Sequence, residues 1–341
     1  MKDKKILYIT CLNKKNRKYD GERIKNTHIF SVLKKNYDTT TINLSICKIF
    51  NTFRIFWHGL FFKNKYEYIV ISKDPRGANI IHKILRFVRY PTNKIVYFEI
   101  GPFLYDRIMN GTIDSKTFMF DRLIVVETNS LKNELESIGF ENIGVFPNFK
   151  PIVDIEFKKK KYPSKVLSLV FLSRIEEQKG LFDLLDALVF VNKYRVKYSL
   201  DVYGRVQSKQ AEIRLNEYLE KCSFLSYCGK MDVGSKSSYE KLSYYDLHVF
   251  PTKYSEGFPG SIIDFFIAGV PTLSSSFARA NEILSSDDSI VYKQYDMNDL
   301  IAKLEYIYDN QSMLEKLRVN SFNKKDNYSI QAFEEYLKQV L

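Results

Sequence analysis

Short runs of apolar residues alternate along this chain with segments whose apolar residues recur every three or four positions. The runs predict buried strands, and the second pattern predicts helices with one buried face. Helical patterns lie, for instance, at residues 24–35, 79–88 and 131–138. The predicted strands form two sets, at 6–10, 68–72, 94–100, 123–126 and 143–146, and then at 167–172, 198–203, 224–227, 247–250 and 271–273. Because such alternation is typical of parallel sheets covered on both faces, we expect an α/β chain with two doubly wound sheets.

Length and composition agree with two domains. The chain has 341 residues, of which 45% are hydrophobic, and single cores rarely grow that large. The basic, proline-containing stretch 157–163 is the predicted linker. No apolar run reaches the about 18 residues that a membrane span requires. The four cysteines and four histidines form no metal-ligand pattern, so we expect reduced thiols, no zinc site and a cytoplasmic protein.

Two carboxylates, Glu256 and Asp264, flank a turn rich in Gly and Pro that leads into an apolar helix. The first turn of a helix has unpaired backbone N–H groups and partial positive charge, which suit an anion such as a phosphate. The carboxylates offer acceptors for the hydroxyls of a sugar and a ribose. The segment is therefore a candidate nucleotide-sugar site. The structural alternative is a capping box with Ser261 as N-cap and Asp264 three positions later.

A second candidate site follows the predicted strand at 167–172. Arg174 lies just past this strand, and Lys179 and Gly180 precede the next helical pattern. Ligands of open α/β sheets bind at the carboxyl ends of strands, where an arginine fork and a lysine charge can hold a diphosphate. The alternative is a solvated loop in which Glu176 and Glu177 balance the two cations.

Together the two segments resemble the donor-binding half of the retaining nucleotide-sugar glycosyltransferases of the GT4 family, which have the GT-B fold. The family's two Glu residues, with seven residues between them, correspond to Glu256 and Asp264, and the shorter Asp is a departure from the pattern. The family's Arg and Lys-Gly correspond to Arg174 and Lys179-Gly180. The resemblance covers residues 165–310 strongly. Further matching pieces follow in family order, namely Val202-Tyr203-Gly204, Tyr227-Cys228-Gly229-Lys230, Val249-Phe250-Pro251-Thr252 and Ala268-Gly269-Val270-Pro271.

The resemblance implies two Rossmann-like domains facing a cleft, with residues 1–160 binding the acceptor and residues 161–325 binding the donor. Residues 326–341 would form a helix that packs back on the first domain. The implied reaction moves a hexose from a nucleotide-diphosphate sugar to a glycan, with retention and without a cofactor. The leaving phosphate oxygen takes the acceptor proton. No Asp-x-Asp triplet occurs, so a metal-chelated diphosphate is not expected.

The residues that match the family's motifs receive roles by the same resemblance. The expected catalytic residues are Glu256, Arg174 and Lys179. The expected donor-binding residues are Ser173, Gly204, Gly229, Lys230, Gly257, Phe258, Gly260 and Asp264.

The acceptor side of this fold belongs to the first domain, where three residues are candidates. Glu99 is a charged residue inside a strand-like run, and Gly101 follows it. Gly21 lies in the long polar loop 11–22. Because charge in a buried strand is usually paired or functional, Glu99 either orients the acceptor or belongs to a buried ion pair.

Charge is distributed unevenly along the chain. Residues 1–150 contain 26 Lys and Arg and 14 Asp and Glu, whereas residues 151–341 contain 26 of each, so the net charge of +12 lies in the first part. Lys and Arg alternate there with aromatic residues at 47–63 and 82–90. These segments are typical of basic amphipathic helices on an anionic membrane, and they predict peripheral association with its inner face. The alternative is a lysine-rich genome combined with aromatic residues that belong to an ordinary core. No nucleic-acid-reading motif accompanies the charge.

The family resemblance and the basic segments together predict a lipid-linked acceptor in bacterial surface polysaccharide synthesis, such as capsule, exopolysaccharide or lipopolysaccharide. Three other functions remain open from the sequence. A retaining glycosidase also uses two carboxylates, a GT-B epimerase or phosphorylase shares the donor half, and an inactive GT-B partner subunit only binds. The donor sugar, the nucleobase and the glycosidic linkage are not encoded in recognisable motifs.

Overall fold

The computed structural model describes residues 4–12 and 21–341. Contacts divide the chain into two compact units, of which the first comprises Met1–Lys150 and Ile330–Leu341 and the second comprises Pro151–Ser329. Each unit contains a six-stranded sheet with helices on both faces. The predicted α/β architecture with two doubly wound parallel sheets is thus confirmed. Among the described residues, no helix is both long and apolar enough to cross a bilayer.

The sheet of the first unit has the strand order β2-β1-β3-β4-β5-β6, and every neighbouring pair is parallel. The inner strands consist of buried Ile, Val, Leu and aromatic residues because helices cover both faces. The strands are β1 Lys5–Thr10, β2 Asp38–Asn43, β3 Tyr68–Lys73, β4 Ile95–Glu99, β5 Leu123–Val126 and β6 Ile143–Val145. The helices are α1 Gly21–Asn36, α2 Lys48–Phe61, α3 Pro75–Phe87, α4 Leu104–Met109 and α5 Asn129–Glu136.

The sheet of the second unit has the order β12-β11-β10-β7-β8-β9, again with parallel neighbours. Its strands are β7 Leu167–Leu172, β8 Tyr198–Tyr203, β9 Leu225–Tyr227, β10 Leu247–Phe250, β11 Thr272–Ser275 and β12 Ser289–Tyr292. Its helices are α6 Leu181–Val191, α7 Lys209–Lys221, α8 Lys236–Leu242, α9 Gly260–Ala268, α10 Ala280–Ile283, α11 Met297–Asp309 and α12 Met313–Lys324.

The last helix, α13 (Ile330–Val340), packs on the sheet of the first unit. The Phe333 ring stacks on Phe149 with centroids 3.9 Å apart, and Leu337 is buried in the same cluster. The apolar face of this helix therefore packs against residues that come from the first 150 positions of the chain.

The stretch expected to be a linker belongs to the second unit. Ile155 is buried in that unit's core, and the Phe157 ring lies 5.3 Å from Phe322 of α12. The unit boundaries fall at residues 150 and 330, whereas the sequence placed them at 160 and 326. The composition of the stretch, which is dominated by lysine, gave no sign that Phe157 packs against the second unit.

Two edge strands, β2 and β12, were not predicted from the sequence. The β2 sequence is Asp-Thr-Thr-Thr-Ile-Asn, and Ile42 is its one buried residue. Since an edge strand faces solvent along one side, its residues need not form an apolar run. Pairing with β1 defines this strand.

Candidate active site

The candidate residues of the second unit lie where the strand order reverses. From β7 the sheet continues outward through β8 and β9, and from β10 it continues the other way through β11 and β12. Because all strands are parallel, their carboxyl ends lie along one edge. In open α/β sheets this edge, at the reversal, is where ligands bind. The loop after β7 contains Arg174 and Lys179, and the loop after β10 contains Glu256, so both predicted segments flank the expected crevice.

A short ion pair joins these two loops. The Lys179 Nζ atom lies 2.5 Å from the Glu256 carboxylate, and the two side chains are only 10% and 15% exposed. The Thr252 hydroxyl donates a second hydrogen bond, of 2.9 Å, to the same carboxylate oxygen. The Lys179 ammonium also lies 5.4 Å from the centre of the Tyr254 ring. A largely buried cation thus lies beside a carboxylate at the carboxyl edge of the second sheet.

Gly180 makes this approach of the two loops possible. It ends the 3₁₀ turn Glu177–Lys179 with a φ of 72°, in the left-handed region that side chains disfavour. A Cβ atom at this position would lie 1.8 Å from the carbonyl oxygen of Pro251. The Lys253 N–H donates to the Gln178 carbonyl at 2.9 Å, which ties the same loops together. A glycine is therefore required at position 180 by backbone packing.

Helix α9 begins at Gly260, with Pro259 in the N-cap position and no side-chain capping bond. The capping box with Ser261 as N-cap is therefore wrong. The described hydrogen bonds leave the N–H groups of Gly260 and Ser261 without a protein acceptor. The start of α9 keeps the unpaired donors and the positive end of the helix dipole that an anion requires.

Asp264 lies one turn into α9, and its side chain is buried. The Tyr239 hydroxyl of α8 donates a 2.9 Å hydrogen bond to its carboxylate. Burial, and then the neighbouring Asp264 charge, raise the pKa of the Tyr239 phenol, so the hydroxyl stays a donor. The carboxylate is consequently held in one orientation inside the fold.

The loops after β7, β8 and β9 are joined through backbone contacts. The Gly204 N–H donates to the Gly229 carbonyl at 2.8 Å, and the Ser173 N–H donates to the Tyr203 carbonyl at 3.1 Å. A Cβ atom at Gly204 would lie 1.8 Å from the Ser173 oxygen. Three of the predicted donor-binding residues therefore lie on adjoining loops at one edge. Lys230, next in sequence, forms an ion pair with Asp232.

Arg174 differs from Lys179 in its surroundings. Its side chain is 60% exposed, and its guanidinium lies 3.0 Å from the Glu176 carboxylate. The solvated pairing considered from the sequence is thus present for Arg174, whereas Lys179 is paired across to Glu256. Arg174 shares the carboxyl edge with Lys179 but is not fixed by burial.

The two residues after Glu256 anchor the loop. Gly257 is buried, and the Phe258 ring packs 5.0 Å from Tyr328 in the core of the second unit. The Phe258 side chain consequently holds the loop in place. Because this side chain is buried, the donor contact predicted for Phe258 would have to come from its backbone atoms.

The predicted acceptor residues lie at the carboxyl edge of the first sheet. Glu99 is buried at the end of β4, and its Oε1 atom accepts the N–H groups of Phe103 and Leu104 at 2.9 and 2.7 Å. These bonds favour an anchoring role for Glu99 over contact with an acceptor. Gly101 has a φ of 83°, and Gly21 begins α1. Residues 13–20 of the predicted loop lie outside the described residues.

Sequence reasoning assigned no role to three further residues of the second unit's candidate site. Thr252 donates to Glu256, Tyr254 faces Lys179, and the buried Arg279 donates a 3.4 Å hydrogen bond to Ser255 beside Glu256. The Pro251-Thr252 pair at a strand end was the available signal. No sequence signal pointed to Arg279, because this residue follows β11 and reaches Ser255 only in the folded unit. Among the described residues, no group of three or more His, Cys, Asp and Glu is placed to hold a metal ion.

Comparisons with solved structures identify the fold as GT-B. HepE of Anabaena, in complex with UDP and glucose, is 13% identical with a TM-score of 0.69, and 98% of each chain is covered. The sucrose-phosphate synthase of Thermosynechococcus elongatus is 12% identical with a TM-score of 0.69, and the match covers 99% of this chain and 98% of the synthase. A glycosyltransferase of Rickettsia africae is 13% identical with a TM-score of 0.72, and 99% and 97% of the two chains are covered.

A search of curated proteins found no match. The sequence profile of the glycosyl transferases group 1 matches residues 153–324, which make up half of the chain and nearly all of the second unit. The chain belongs to the glycosyl transferases group 1 family.

Proposed function

We propose that this protein transfers a sugar from a nucleotide-diphosphate sugar to a glycan acceptor. The observation that carries the proposal is the Lys179–Glu256 ion pair at the strand-order reversal of the second sheet. The pair lies in the loops that precede α6 and α9, and the start of α9 has no side-chain cap. One edge therefore offers a cation, a carboxylate and unpaired backbone donors, which are the groups that a sugar diphosphate requires.

In the proposed mechanism, the diphosphate binds between Lys179, Arg174 and the first turn of α9. Lys179 turns from Glu256 towards the phosphates, and the exposed Arg174 folds over them. These donors stabilise the charge that develops on the leaving diphosphate. Each such contact is worth about 3–4 kcal/mol at a developing anion, or about 100- to 1,000-fold in rate.

Glu256 has the complementary role towards the transferred sugar. Once Lys179 has turned to the phosphates, the Glu256 carboxylate is available to sugar hydroxyls while Thr252 keeps it oriented. The acceptor hydroxyl attacks from the face that the diphosphate leaves, and a phosphate oxygen takes its proton. Because attack and departure share one face, the product retains the anomeric configuration, and because the phosphate oxygen takes the proton, no protein base is required.

Asp264 and the glycine loops are proposed to bind the nucleoside. The Asp264 carboxylate accepts hydrogen bonds from the ribose hydroxyls, and Tyr239 orients that carboxylate. Gly204, Gly229 and Lys230 line the nucleotide, together with the backbone of Ser173, Gly257, Phe258 and Gly260. The structural neighbour HepE is known in complex with UDP and with UDP-glucose, which supports a nucleotide-sugar donor for this chain.

The finer assignment rests on the sequence. We place the protein among the retaining GT4 enzymes as a metal-independent hexosyltransferase, because Glu256, Asp264, Arg174 and Lys179 match the family's motifs and no Asp-x-Asp triplet occurs. The acceptor is a lipid-linked glycan of bacterial surface polysaccharide synthesis, bound near Gly21 and Gly101 at the inner face of the cytoplasmic membrane. The net charge of +12 in residues 1–150 supports the membrane location.

The test is a thermal-shift screen against UDP-, GDP- and ADP-sugars, followed by product analysis with and without glycan acceptors. A bound donor at a hundredfold excess over its Kd stabilises the protein by about 2.7 kcal/mol. We expect one nucleotide class to raise the melting temperature and to release nucleoside diphosphate when an acceptor is added. Stabilisation by no nucleotide sugar, or sugar release from a glycan without added nucleotide, contradicts the proposal.

A further inference from the structure

Helix α2 presents a broad apolar face to solvent. Its exposed large apolar side chains are Ile49, Phe50, Phe53, Trp57, Leu60 and Phe61, with exposed fractions between 41% and 78%. At 100° per residue these positions fall within about 120° of the helix circumference. The opposite side of α2, with Ile55, belongs to the core of the first unit. Exposed apolar residues are common singly, but a contiguous set of six marks an interaction surface.

Helix α3 extends this surface with a mixed stripe. Arg76, Ile80, Lys83 and Phe87 recur at intervals of four, three and four residues, and all four are exposed. They therefore lie along one face of the helix. The Phe87 ring lies 6.2 Å from Phe56 of α2, and Gly59 allows the two helices to pack closely. The apolar face of α2 and the stripe of α3 thus adjoin each other.

The two helices that form this surface contain basic residues and no acidic residue. Residues 39–66, which contain α2 and both its flanks, and residues 75–98, which contain α3 and its C-terminal flank, include nine Lys and Arg and no acidic residue. The N-cap of α3 is acidic, but this residue, Asp74, is paired with Lys73. A face of aromatic and aliphatic side chains edged by cations complements a bilayer, which offers hydrocarbon beneath anionic headgroups. An amphipathic helix that lies in the interface needs neither the length nor the uniform hydrophobicity of a membrane span.

We propose that the α2–α3 face is a membrane-docking surface, which inserts the α2 side chains into the headgroup region of an anionic bilayer while the α3 cations bind lipid phosphates. The inference gives the membrane location in the proposed function a specific site, and it is independent of donor binding in the second unit. Each cation near an anionic membrane contributes about fivefold to partitioning.

The single tryptophan of the chain provides the readout. Trp57 lies within the α2 face and is 55% exposed. We expect its emission to shift to shorter wavelength when the protein meets vesicles of phosphatidylcholine with one quarter phosphatidylglycerol. The shift with vesicles of phosphatidylcholine alone should need at least tenfold more lipid, and added salt should weaken binding to the anionic vesicles.

The Phe50→Ser/Phe53→Ser variant tests the apolar part of the surface in co-flotation with the same anionic vesicles. We expect partitioning to fall at least tenfold. The matched control is Phe190→Ser, because Phe190 of the second unit is 60% exposed and Phe50 is 61% exposed. Lys83→Glu/Arg86→Glu tests the charge and should remove most of the preference for anionic lipid. All these positions are exposed, so each variant should keep the wild-type melting temperature.

Two results would overturn the proposal. One is equal partitioning of wild type and the Phe50→Ser/Phe53→Ser variant. The other is a dimer in sedimentation velocity that this variant abolishes while vesicle binding is absent, which would assign the face to a second copy of the chain. The thermal shift of the variant with nucleotide sugars is measured in the absence of vesicles. If this thermal shift equals that of the wild type, donor binding is intact, and a failure of the docking proposal can be told apart from a failure of the proposed donor site.

Discussion

The Lys179–Glu256 pair is either a structural ion pair or part of a diphosphate site, and three variants distinguish the two. Both side chains are largely buried, and the charged atoms are 2.5 Å apart. Lys179→Met leaves the Glu256 carboxylate buried with the Thr252 hydroxyl as its remaining described partner. Breaking a buried pair in this way costs about 3 kcal/mol, which lowers the melting temperature of a unit this size by about 6–12 °C.

Lys179→Met combined with Glu256→Gln removes both charges together. Replacement of a whole buried ion pair by neutral groups is often close to neutral for stability, so the double variant should regain most of the lost melting temperature. Turnover should not return with it. If Lys179 stabilises the leaving diphosphate, both Lys179→Met and the double variant should lose about 100- to 1,000-fold in kcat.

The assay measures release of nucleoside diphosphate from the donor selected by the thermal-shift screen, alongside thermal unfolding. Lys197→Met is the matched control. Lys197 has an 18% exposed side chain and pairs with Glu305, but it precedes β8 and so lies at the opposite edge of the sheet. It should change stability without changing turnover. Recovery of turnover together with stability in the double variant, or near wild-type turnover in Lys179→Met, would refute the catalytic reading of this pair.

Three further predictions concern Gly180, Tyr239 and His28. Gly180→Ala puts a Cβ atom 1.8 Å from a backbone oxygen of the β10 loop. It should destabilise the second unit by more than about 2 kcal/mol and reduce turnover, whereas Gly111→Ala, with the same φ of 72° and no neighbour within 4 Å, should cost only the backbone strain in thermal unfolding. Tyr239→Phe removes the 2.9 Å hydrogen bond that orients Asp264, and the KM for donor should rise about tenfold with kcat little changed; an unchanged KM would argue against a ribose role for Asp264. Burial, assisted by the nearby Lys150 charge, lowers the pKa of His28 to about 4. Because the unfolded chain binds this proton near pH 6.5 and the folded protein does not, stability should fall by up to about 2 kcal/mol between pH 7.5 and pH 5. His28→Gln should remove that part of the pH dependence in chemical denaturation, and an unchanged slope would contradict the assignment.

The sequence predicted the architecture where the fold depends on local apolar patterns. The run at 167–172 became β7 with the predicted bounds, and the predicted strands of both sheets are present. Parallel strands buried on both faces must be apolar along their whole length, so their sequences identify them. The edge strand β2 escaped because one buried residue, Ile42, suffices when solvent covers one side.

The candidate site was predictable to the level of the loops that form it. The resemblance placed Lys179 and Glu256 on different loops, and the structure joins them directly. Their hydrogen-bond partners could not be inferred in the same way, because Arg279 lies beyond the next strand and reaches Ser255 only in the folded unit. The capping box failed for a related reason. Asp264 accepts a hydrogen bond from Tyr239, which lies on another helix, and α9 begins at Gly260.

The central claim is that a nucleoside diphosphate binds at the carboxyl edge of the second sheet, against Lys179 and the start of α9. The most direct test is a crystal structure with whichever of UDP, GDP or ADP gives the largest thermal shift. We predict a phosphate oxygen within about 3 Å of Lys179 Nζ and of the Gly260 or Ser261 N–H, with the contact between Lys179 and Glu256 lengthened. A nucleotide bound at another place, with that contact intact, would contradict the account.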